Sequence, residues 1–433
     1  MLRRKFLDTL TDWKKNKNRE CLLVKGARQI GKTFIIDYFG RQFYDSYIYI
    51  NFAEDPRLTA VFSGSLTAEN IYKQISLFRP DAKFTEGGTL LFLDEIQECP
   101  AARTALKFLA IDNRCDVIAS GSLLGIHYRD AASIPVGYEK QIEMYSLDFE
   151  EFLWAIGISD DTIQYLRSFF EKKIPVPPAI HEQMMKYLRE YMIIGGMPEV
   201  VNTYLRTKNF GQVHEAQKKI TDAYLDDITK YADPNEKPKA RSCYLSIPRQ
   251  LAKENKKFQF SVVEQKGRAR KYGNCLEWLR DANLVHPCRN VSTPQFPLIA
   301  YEKTDQFKIY LDDIGLLISM YGYEMKQAVL FDTLKGPAKG GIYENLIADI
   351  LIKKAIPLYY YKNENNTQEI EFLLTSPDSE IIPVEVKAGN GPTVSLNTFL
   401  QDHPSSIGYK FISGNVGIAD RKIVLPLYMA MFL

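Results

Sequence analysis

A glycine-rich loop follows directly after the apolar run Cys21-Leu22-Leu23-Val24 and limits what the chain can fold into. The nine residues expected to contact a nucleotide are Gly26, Ala27, Arg28, Gln29, Ile30, Gly31, Lys32, Thr33 and Phe34. Their spacing, G-x-x-x-x-G-K-[ST], supplies backbone N–H groups for phosphates, a lysine for the terminal phosphates and a hydroxyl for Mg²⁺. The apolar residues after the loop predict a helix whose N-terminus faces the phosphates. The start of the chain is therefore expected to be a strand, loop and helix that bind a nucleoside triphosphate.

A second segment completes this expectation. Residues 89–93 form a continuous apolar run, typical of a buried parallel strand, and end in Asp94 and Glu95. At the carboxyl end of that strand Asp94 would hold Mg²⁺ together with Thr33, while Glu95 would orient the attacking water. Hydrolysis of a nucleoside triphosphate is the expected reaction, with Lys32 and Glu95 as catalytic residues. No N-K-x-D tetrapeptide for reading guanine occurs in the first 160 residues, so ATP is favoured over GTP.

Composition sets the class of protein. The chain has 433 residues, of which 45% are hydrophobic and 25% charged, and a net charge of +2. This length predicts two to four domains, and this charge requires that any nucleic-acid surface be local. Six cysteines without a C-x-x-C pair indicate a reducing compartment, and no stretch approaches 18 apolar residues. We expect a cytoplasmic protein that does not contact a membrane.

The order of patterns predicts an α/β core followed by a helical lid. Short apolar strands at 21–25, 47–52, 90–93, 116–119 and 141–145 alternate with amphipathic helices, which is typical of a parallel sheet. This core is assigned to 1–160, and a helical segment at 161–235, which stops at Gly195-Gly196, is expected to close over the nucleotide. The charged, proline-bearing residues 233–239 are expected to form a linker.

Residues 240–325 predict a winged helix-turn-helix. Helices are expected at 246–255 and 270–281, followed by a hairpin that starts near Leu284. Four basic residues lie where the second helix begins, and they are the predicted DNA contacts: Lys266, Arg268, Arg270 and Lys271. A basic helix N-terminus suits phosphate contacts, and a solvated charged face explains the same pattern equally well.

The last segment, 326–433, contains two strand-like runs in which acidic residues alternate with apolar residues. A helix is expected at 343–356, with strands at 357–361, 369–374 and 382–387. Side chains alternate along a strand, so Glu369 and Glu371 are expected on one face, and Glu385 shares a face with Lys387. Paired strands would bring these groups together as in a Mg²⁺-dependent phosphodiesterase, with Glu371 and Glu385 as metal ligands. An amphipathic hairpin with a solvated polar face predicts the same alternation.

Seven motifs together resemble the AAA-type P-loop ATPases of bacteria and archaea that carry a C-terminal region of unknown function (DUF4143) related to the PD-(D/E)xK nucleases. The motifs lie at 26–33, 91–97, 120–124, 147–153, 195–199, 311–317 and 383–389. The resemblance implies an AAA+ core, a winged-helix segment and a restriction-endonuclease-like C-terminal α/β fold. It covers nearly the whole chain.

The resemblance also implies roles for individual residues. Ser120 or Ser122 would be the polar sensor that contacts the γ-phosphate, although a serine at a strand-to-turn junction needs no such role. Glu344, Glu371, Glu385 and Lys387 match the catalytic positions of the nuclease core. Relatives often have Asp where Glu371 stands here, and the longer side chain would disturb an octahedral Mg²⁺ site.

One further departure concerns the arginine finger. Relatives often have Arg where this chain has Tyr138, so Arg103, Arg129 and Arg189 are the candidates for that role. AAA+ sites commonly close across subunits, and self-association is therefore one expected interaction besides ATP, Mg²⁺ and DNA. Two functions remain open: an ATPase that drives a DNA-associated winged-helix and nuclease-like module, and a regulatory ATP switch whose C-terminal domain is an inactive scaffold or protein-binding surface.

Overall fold

The computed structural model describes residues 1–16, 20–122, 137–232, 236–365, 367–389 and 393–433. The chain divides into two compact units. The first comprises Arg4–Tyr145 with Asp281–Asn283, and the second comprises Met1–Arg3, Ser146–Arg280 and Leu284–Leu433. Helices α10 to α12 and all of the C-terminal strands lie within the second unit.

The first unit is a parallel sheet flanked by helices. Its elements are α1 (Phe6–Asn16), β1 (Cys21–Lys25), α2 (Lys32–Phe43), β2 (Ser46–Asn51), α3 (Ala68–Phe78), β3 (Thr89–Asp94), α4 (Pro100–Asp112), β4 (Asp116–Ser120) and β5 (Glu139–Glu143). The strand order is β2-β3-β4-β1-β5, and every neighbouring pair is parallel. The expected α/β core with five parallel strands is confirmed. The fifth strand begins at Glu139, two residues before the predicted start, because it lies at the sheet edge and its first residues are polar instead of forming an apolar run.

The central strands of this sheet are buried along their whole length. β3 and β4 have no exposed residue, and β1 is buried from Cys21 to Val24. Helices on both faces of a parallel sheet produce such continuous apolar strands. The carboxyl ends of β1, β3 and β4 consequently meet at one edge, where the sequence places its polar motifs.

The second unit begins with a run of helices. They are α5 (Phe149–Ala155), α6 (Asp160–Lys172), α7 (Pro178–Ile194), α8 (Pro198–Thr207) and α9 (Phe210–Tyr231). As expected from the glycine pair, α7 ends immediately before Gly195. The carboxylate of Asp313 accepts hydrogen bonds from Gly196 N at 2.7 Å and Ser146 Oγ at 3.1 Å, which joins the end of α7 to the start of a later helix.

Three helices and a hairpin follow. They are α10 (Lys237–Leu251), α11 (Phe260–Val263), α12 (Ala269–Asp281), β6 (Val285–Val291) and β7 (Glu302–Leu311), with β6 and β7 antiparallel. The predicted helix at 246–255 is therefore misplaced, because α10 starts nine residues earlier and ends at Leu251. The expected linker at 233–239 is also wrong in part: Lys237 to Lys239 begin α10, where Pro238 is tolerated in the first turn, and 233–235 lie outside the described residues.

The C-terminal part contains four further helices and seven strands that belong to two sheets. Its elements are α13 (Ile314–Met320), α14 (Tyr323–Leu330), α15 (Gly336–Lys353), β8 (Tyr359–Lys362), β9 (Glu369–Ile370), β10 (Phe372–Thr375), β11 (Ile381–Val386), α16 (Val394–Asp402), β12 (Gly408–Ile412), β13 (Gly417–Ala419) and β14 (Lys422–Pro426). One sheet has the order β10-β11-β12-β14-β13 and the other β7-β6-β8-β9. The hairpin strand β6 thus pairs with β7 on one side and β8 on the other.

The predicted single strand at 369–374 is wrong. The chain bends at Glu371, so that β9 pairs with β8 while β10 pairs with β11 in the other sheet. A strict alternation along 369–374 therefore does not describe these side chains. The helix predicted at 343–356 starts seven residues earlier and ends at Lys353.

The close approach of α13 to the end of α7 generates a prediction. A Cβ at Gly315 would lie 2.5 Å from both Gly195 N and Ile194 O, which are backbone atoms that cannot yield cheaply. We expect Gly315→Ala to lower the free energy of unfolding by about 2–3 kcal/mol. Gly273, in the interior of α12, has no atom within 4 Å of such a Cβ, so Gly273→Ala should raise it by up to about 1 kcal/mol. Urea denaturation of both variants measures this contrast, and equal effects would contradict the packing.

Candidate functional site

The carboxyl edge of the first unit's sheet gathers the polar motifs. β3 ends at Asp94, which is paired in register with Asn51 at the end of β2. β4 ends at Ser120, whose neighbour in register is Val24 of β1. The glycine-rich loop leaves β1 at the same edge, because all these strands are parallel. The topology therefore brings the loop, Asp94 and Ser120 together.

The loop conformation explains its glycine requirement. Gly26 has φ +144°, and a Cβ at this residue would lie 2.2 Å from the carbonyl oxygen of Met144. Only glycine fits this conformation at this distance. The loop then enters α2 at Lys32, and the first-turn N–H groups of this helix are donors suited to an anion.

The Lys32 ammonium lies within the loop. Its side chain is buried, and Nζ donates hydrogen bonds to the carbonyl oxygens of Gly26 at 2.9 Å and Ala27 at 2.7 Å. These are neutral acceptors, so the ammonium has no carboxylate among these two partners. The ammonium can therefore exchange these carbonyl contacts for the phosphates of a nucleotide while Gly26 and Ala27 keep their places in the fold.

Asp94 is the centre of a hydrogen-bond network. The residue is 1% exposed, and its Oδ2 accepts from Thr33 Oγ1 at 2.8 Å and Tyr49 Oη at 3.1 Å, while Ser120 Oγ donates to its Oδ1. Such a buried carboxylate requires several donors. The pairing of Thr33 with Asp94 places together the two side chains expected to hold Mg²⁺, which prefers oxygen ligands.

Two members of this network were missed from the sequence. Tyr49 and Asn51 lie on β2, and Asn51 Nδ2 donates to Tyr49 Oη at 2.9 Å. Tyr49 and Asn51 are two residues apart and therefore share one face of β2, which the sequence could have indicated. That β2 lies next to β3 could not be predicted from the sequence. Tyr49 thereby supports the carboxylate from the side opposite Ser120.

Glu95 follows Asp94 in a strained conformation. Its φ of +52° is unusual for a residue with a side chain, and such strain often accompanies functional positions. Gln97 Nε2 donates to its carboxylate, and Ser122 Oγ accepts from Arg28 Nε at 3.1 Å. The structure therefore positions Ser120 against Asp94 and Ser122 against the loop. Gln97 is a further residue that the sequence did not single out.

The arginine candidates are distributed differently. Arg103 is 3% exposed and forms an ion pair with Glu139, which is incompatible with a finger that must reach a nucleotide on another subunit. Arg189 lies half-buried on α7. Arg129 lies outside the described residues. Arg103 is therefore removed from the candidates for the arginine finger.

A second cluster of charged groups lies in the second unit. Lys387 Nζ is 3.2 Å from Glu371 Oε1 and 3.4 Å from Glu385 Oε1. Glu371 also accepts from Val386 N at 3.3 Å. The structure thus brings together Glu371, Glu385 and Lys387, and both carboxylates are buried. We call these three residues and the ion pairs joined to them the carboxylate cluster.

Glu344 and Glu369 extend this cluster through lysines. Lys308 Nζ is 3.2 Å from Glu344 Oε2 and 2.7 Å from Glu369 Oε1. Lys256 Nζ lies 2.9 Å from Glu344 Oε1, and Lys362 Nζ lies 2.9 Å from Glu369 Oε2. Glu344 approaches from α15, as the resemblance implied, but its nearest charged partners are ammonium groups. Lys308 and Lys256 were missed because they are distant in sequence from the acids.

Electrostatics separates the members of the cluster. Burial raises the pKa of Glu371 to about 7, against the opposing effect of Lys387, and burial also raises the pKa of Glu385. Burial would raise the pKa of Glu369 as well, but Lys308 and Lys362 outweigh it and lower that pKa to about 2. Glu344 behaves like Glu369, since Lys308 and Lys256 overcome burial and lower its pKa. Glu344 and Glu369 are therefore held as carboxylates, whereas Glu371 takes up a proton near neutral pH.

No described group of three or more His, Cys, Asp or Glu side chains has an arrangement that could hold a metal ion by itself. In the carboxylate cluster, Glu371 and Glu385 share a lysine. In the first unit, Thr33 and Asp94 offer one hydroxyl and one carboxylate, and a nucleotide would have to supply further oxygen ligands. The two sites therefore differ in their capacity for a cation.

The predicted DNA contacts lie around the start of α12. Lys266 and Arg268 precede this helix, Arg270 and Lys271 lie in its first turn, and all four side chains are exposed. Lys271 forms an ion pair with Glu264, which reduces the positive charge it presents. The other three form an exposed basic group on a short stretch of chain.

Comparison with known families assigns three segments. Residues 18–153 match the family described as an AAA domain, 185–327 match a domain of unknown function (DUF8612), and 339–429 match a domain of unknown function (DUF4143). The AAA domain and the DUF4143 domain confirm the resemblance found in the sequence motifs. An AAA domain is a nucleotide-binding P-loop ATPase fold, and the loop at 26–33 lies within it.

Individual proteins are similar to this chain at low identity. The curated protein named Uncharacterized protein MJ1544, from Methanocaldococcus jannaschii, is 26% identical over 377 residues, which cover 84% of this chain and 74% of that protein. Among solved structures, the Walker-type ATPase paby2304 of Pyrococcus abyssi has a TM-score of 0.44 at 15% identity, with 74% of this chain and 96% of that chain covered. AMPPCP-bound DnaA from Aquifex aeolicus has a TM-score of 0.29 at 12% identity, with 63% of this chain and 85% of that chain covered.

Among the described helices none is long and apolar enough to cross a membrane.

The raised pKa of Glu371 generates a prediction about stability. The folded protein binds this proton up to about pH 7, whereas an unfolded glutamate releases it at about pH 4.3. The stabilisation that this proton gives to the fold is therefore fully present below pH ~4.3 and is lost as the pH rises through about 7. Glu371→Gln lacks this titration. Its free energy of unfolding relative to the wild type should therefore increase by up to about 3 kcal/mol between pH 4.5 and 7.5.

Urea denaturation across that pH range measures the difference between the two proteins. Glu380→Gln is the matched control, because Glu380 is exposed in the turn between β10 and β11. Its difference from the wild type should stay flat. A flat difference for Glu371→Gln as well would contradict the assigned titration.

Proposed function

We propose that this chain binds ATP with Mg²⁺ at the AAA domain and hydrolyses it. The observation that carries this proposal is the 2.8 Å hydrogen bond between Thr33 Oγ1 and Asp94 Oδ2 at the carboxyl edge of the sheet. It joins the last residue of the glycine-rich loop to the acid at the end of β3. A chance glycine-rich turn gives no reason for such a pairing.

Each residue of the site would have a separate task. Lys32 would move its charge from the loop carbonyls to the β- and γ-phosphates, and the N–H groups at the start of α2 would bind phosphate oxygens. Thr33 and Asp94 would hold Mg²⁺, which neutralises phosphate charge when it is bound. Glu95 would accept a hydrogen bond from the attacking water and orient it, and Gln97 would hold that carboxylate in place.

Ser120 would link hydrolysis to the rest of the sheet. Its hydroxyl donates to Asp94, so a change in the ligands of Asp94 would change the hydrogen bond at the end of β4. This supports a sensor role for Ser120 more than for Ser122, whose contact is Arg28.

We further propose that nucleotide turnover drives a DNA-associated winged-helix module and a nuclease-like C-terminal domain. The order α10, α11, α12, β6 and β7 supports a winged helix, and the basic residues before and within the first turn of α12 support phosphate contacts. The convergence of Glu371, Glu385 and Lys387 supports a nuclease-like arrangement. The helical segment at 161–235 would be the lid.

The alternative is a regulatory ATP switch with an inactive C-terminal scaffold. A specific observation favours it: every carboxylate of the cluster is within ion-pair distance of a lysine, so the acids are already compensated. A nuclease of this type needs carboxylates that hold a metal ion. DNA cleavage assayed with Mg²⁺ and with EDTA distinguishes the two functions.

The nucleotide site predicts opposite defects in two variants. Lys32→Ala should weaken ATP binding at least tenfold, because the charge at the terminal phosphates is lost. Glu95→Gln should bind ATP as the wild type does and lose at least 90% of turnover, because the water lacks its acceptor. Titration with a fluorescent ATP analogue and phosphate release measure the two properties.

Glu98→Gln, a substitution in the same turn away from Asp94, serves as the control and should retain both binding and turnover. Unchanged ATP affinity and turnover in Lys32→Ala would rule out the assigned nucleotide site. Thermal denaturation verifies that each variant is folded.

The basic group predicts a salt-sensitive interaction with DNA. Each neutralised phosphate contributes about 0.9 to the slope of log affinity against log salt concentration. A quadruple alanine variant of Lys266, Arg268, Arg270 and Lys271 should therefore bind more weakly and with a slope reduced by about 2–4. Fluorescence anisotropy with a DNA duplex at several salt concentrations measures both.

A second quadruple variant controls for net charge. It replaces four exposed lysines of the helical segment, namely Lys172, Lys186, Lys218 and Lys219. This variant should keep the wild-type slope. If it lowers the slope while the first variant does not, the DNA surface lies on the helical segment instead.

A further inference from the structure

Lys308 is the most buried cation of the carboxylate cluster. It lies on the hairpin strand β7, is 1% exposed, and contacts Glu344 from α15 and Glu369 from β9. Tyr310 Oη also donates to Glu344 Oε2 at 3.1 Å, and the Lys308 ammonium lies 4.9 Å from the centre of the Tyr360 ring. These contacts surround one ammonium group with two carboxylates and an aromatic face.

The formal charges of the cluster cancel. The carboxylates are Glu344, Glu369, Glu371 and Glu385, and the ammonium groups paired with them are Lys256, Lys308, Lys362 and Lys387. Glu344 and Lys308 both act on the pKa of Glu371, so the pairs form one electrostatic system. A divalent cation would add two positive charges to a buried system that has no net negative charge even when all four carboxylates are ionised, and this is unfavourable unless an ammonium leaves.

The position of Lys308 resembles that of a metal ion. It bridges two carboxylates from different elements at 2.7 and 3.2 Å, and those carboxylates hold its pKa above the ordinary value despite burial, so it stays charged. Meanwhile neither oxygen of the buried Glu385 accepts a well-aligned hydrogen bond. The cluster therefore keeps carboxylate oxygens that could be metal ligands, while the Lys308 ammonium supplies the positive charge that a metal ion would bring.

We propose that Lys308 is the internal cation of the carboxylate cluster, so that the wild-type cluster excludes divalent cations and becomes a cation site only when Lys308 is removed. The hairpin strand β7 would thereby occupy the position of a metal ion with its own lysine. This inference rests on the proposed functions of the C-terminal domain and favours the inactive scaffold, because it names what blocks a metal there. It depends on no property of the nucleotide site.

Removal of Lys308 tests the proposal directly. Without it the cluster carries one uncompensated negative charge when its four acids are ionised, and it gains a space the length of a lysine side chain. Mn²⁺ binding to the nucleotide-free full-length chain is measured by electron paramagnetic resonance for the wild type, Lys308→Ala, and Lys308→Ala with Glu344→Gln. We expect Lys308→Ala to gain one site with at least tenfold higher Mn²⁺ affinity than any cluster site of the wild type, and the double variant to lose it.

Two further variants make the result specific. Glu344→Gln alone should bind Mn²⁺ as the wild type does, because the wild-type cluster holds none. Lys303→Ala removes a lysine from the same strand outside the cluster and should gain no site. Loss of a Mn²⁺ site in Glu344→Gln, or a folded Lys308→Ala that gains none, would overturn the proposal.

Folding of the variants is controlled separately. If Lys308→Ala does not fold, Lys308→Gln keeps a donor for Glu344 while removing the charge, and it enters the same titration with the same expected gain. The comparison of Mn²⁺ binding between the wild type and Glu344→Gln tests whether the wild-type cluster excludes the metal, and it requires no change at Lys308. ATP turnover of each preparation reports on the nucleotide site, so a failure of the proposed ATPase function is distinguishable from a failure here.

Discussion

The burial of Asp94 at the end of an apolar strand is the constraint on which the nucleotide site depends. A carboxylate that is almost inaccessible to water must be surrounded by donors, and the donors available come from three different elements: the loop, β2 and β4. Satisfying this one group fixes the glycine-rich loop relative to the sheet. The site is thus preorganised by the hydrogen-bond demand of a single acid, and its chemistry follows from where that acid lies.

The second unit solves the same physical problem in another way. Its buried carboxylates are satisfied mainly by ammonium groups, and two of them keep pKa values below the ordinary range while Glu371 does not. A site built for a hard cation leaves oxygen ligands open, whereas a site compensated by lysines avoids an unpaired buried charge and gives up that capacity. The two units therefore have buried acids in common, with opposite consequences for a divalent ion.

The sequence predicted the elements whose cause is local. The continuous apolar runs predicted the buried strands β1, β3 and β4, and the glycine-rich spacing predicted the loop, because both patterns require only neighbours in the chain. Long-range partners could not be predicted in this way. The contacts of Lys308 with Glu344 and of Arg103 with Glu139 join residues 36 positions apart, and nothing in either segment indicates the other. The bend at Glu371 was missed for a related reason: alternation continues through it in the sequence, while pairing with two different sheets interrupts it in the fold.

The shared strand β6 has a consequence for how this chain can be divided. Because Arg289 to Val291 of β6 pair with Tyr359 to Tyr361 on one side while β7 pairs on the other, β6 is an interior strand of its sheet. A cut between 325 and 326 would leave two strands with unpaired backbone groups and expose edges prone to aggregation. The hairpin and the C-terminal strands therefore depend on each other for backbone pairing, and a truncated fragment ending at the hairpin is a poor candidate for recombinant expression.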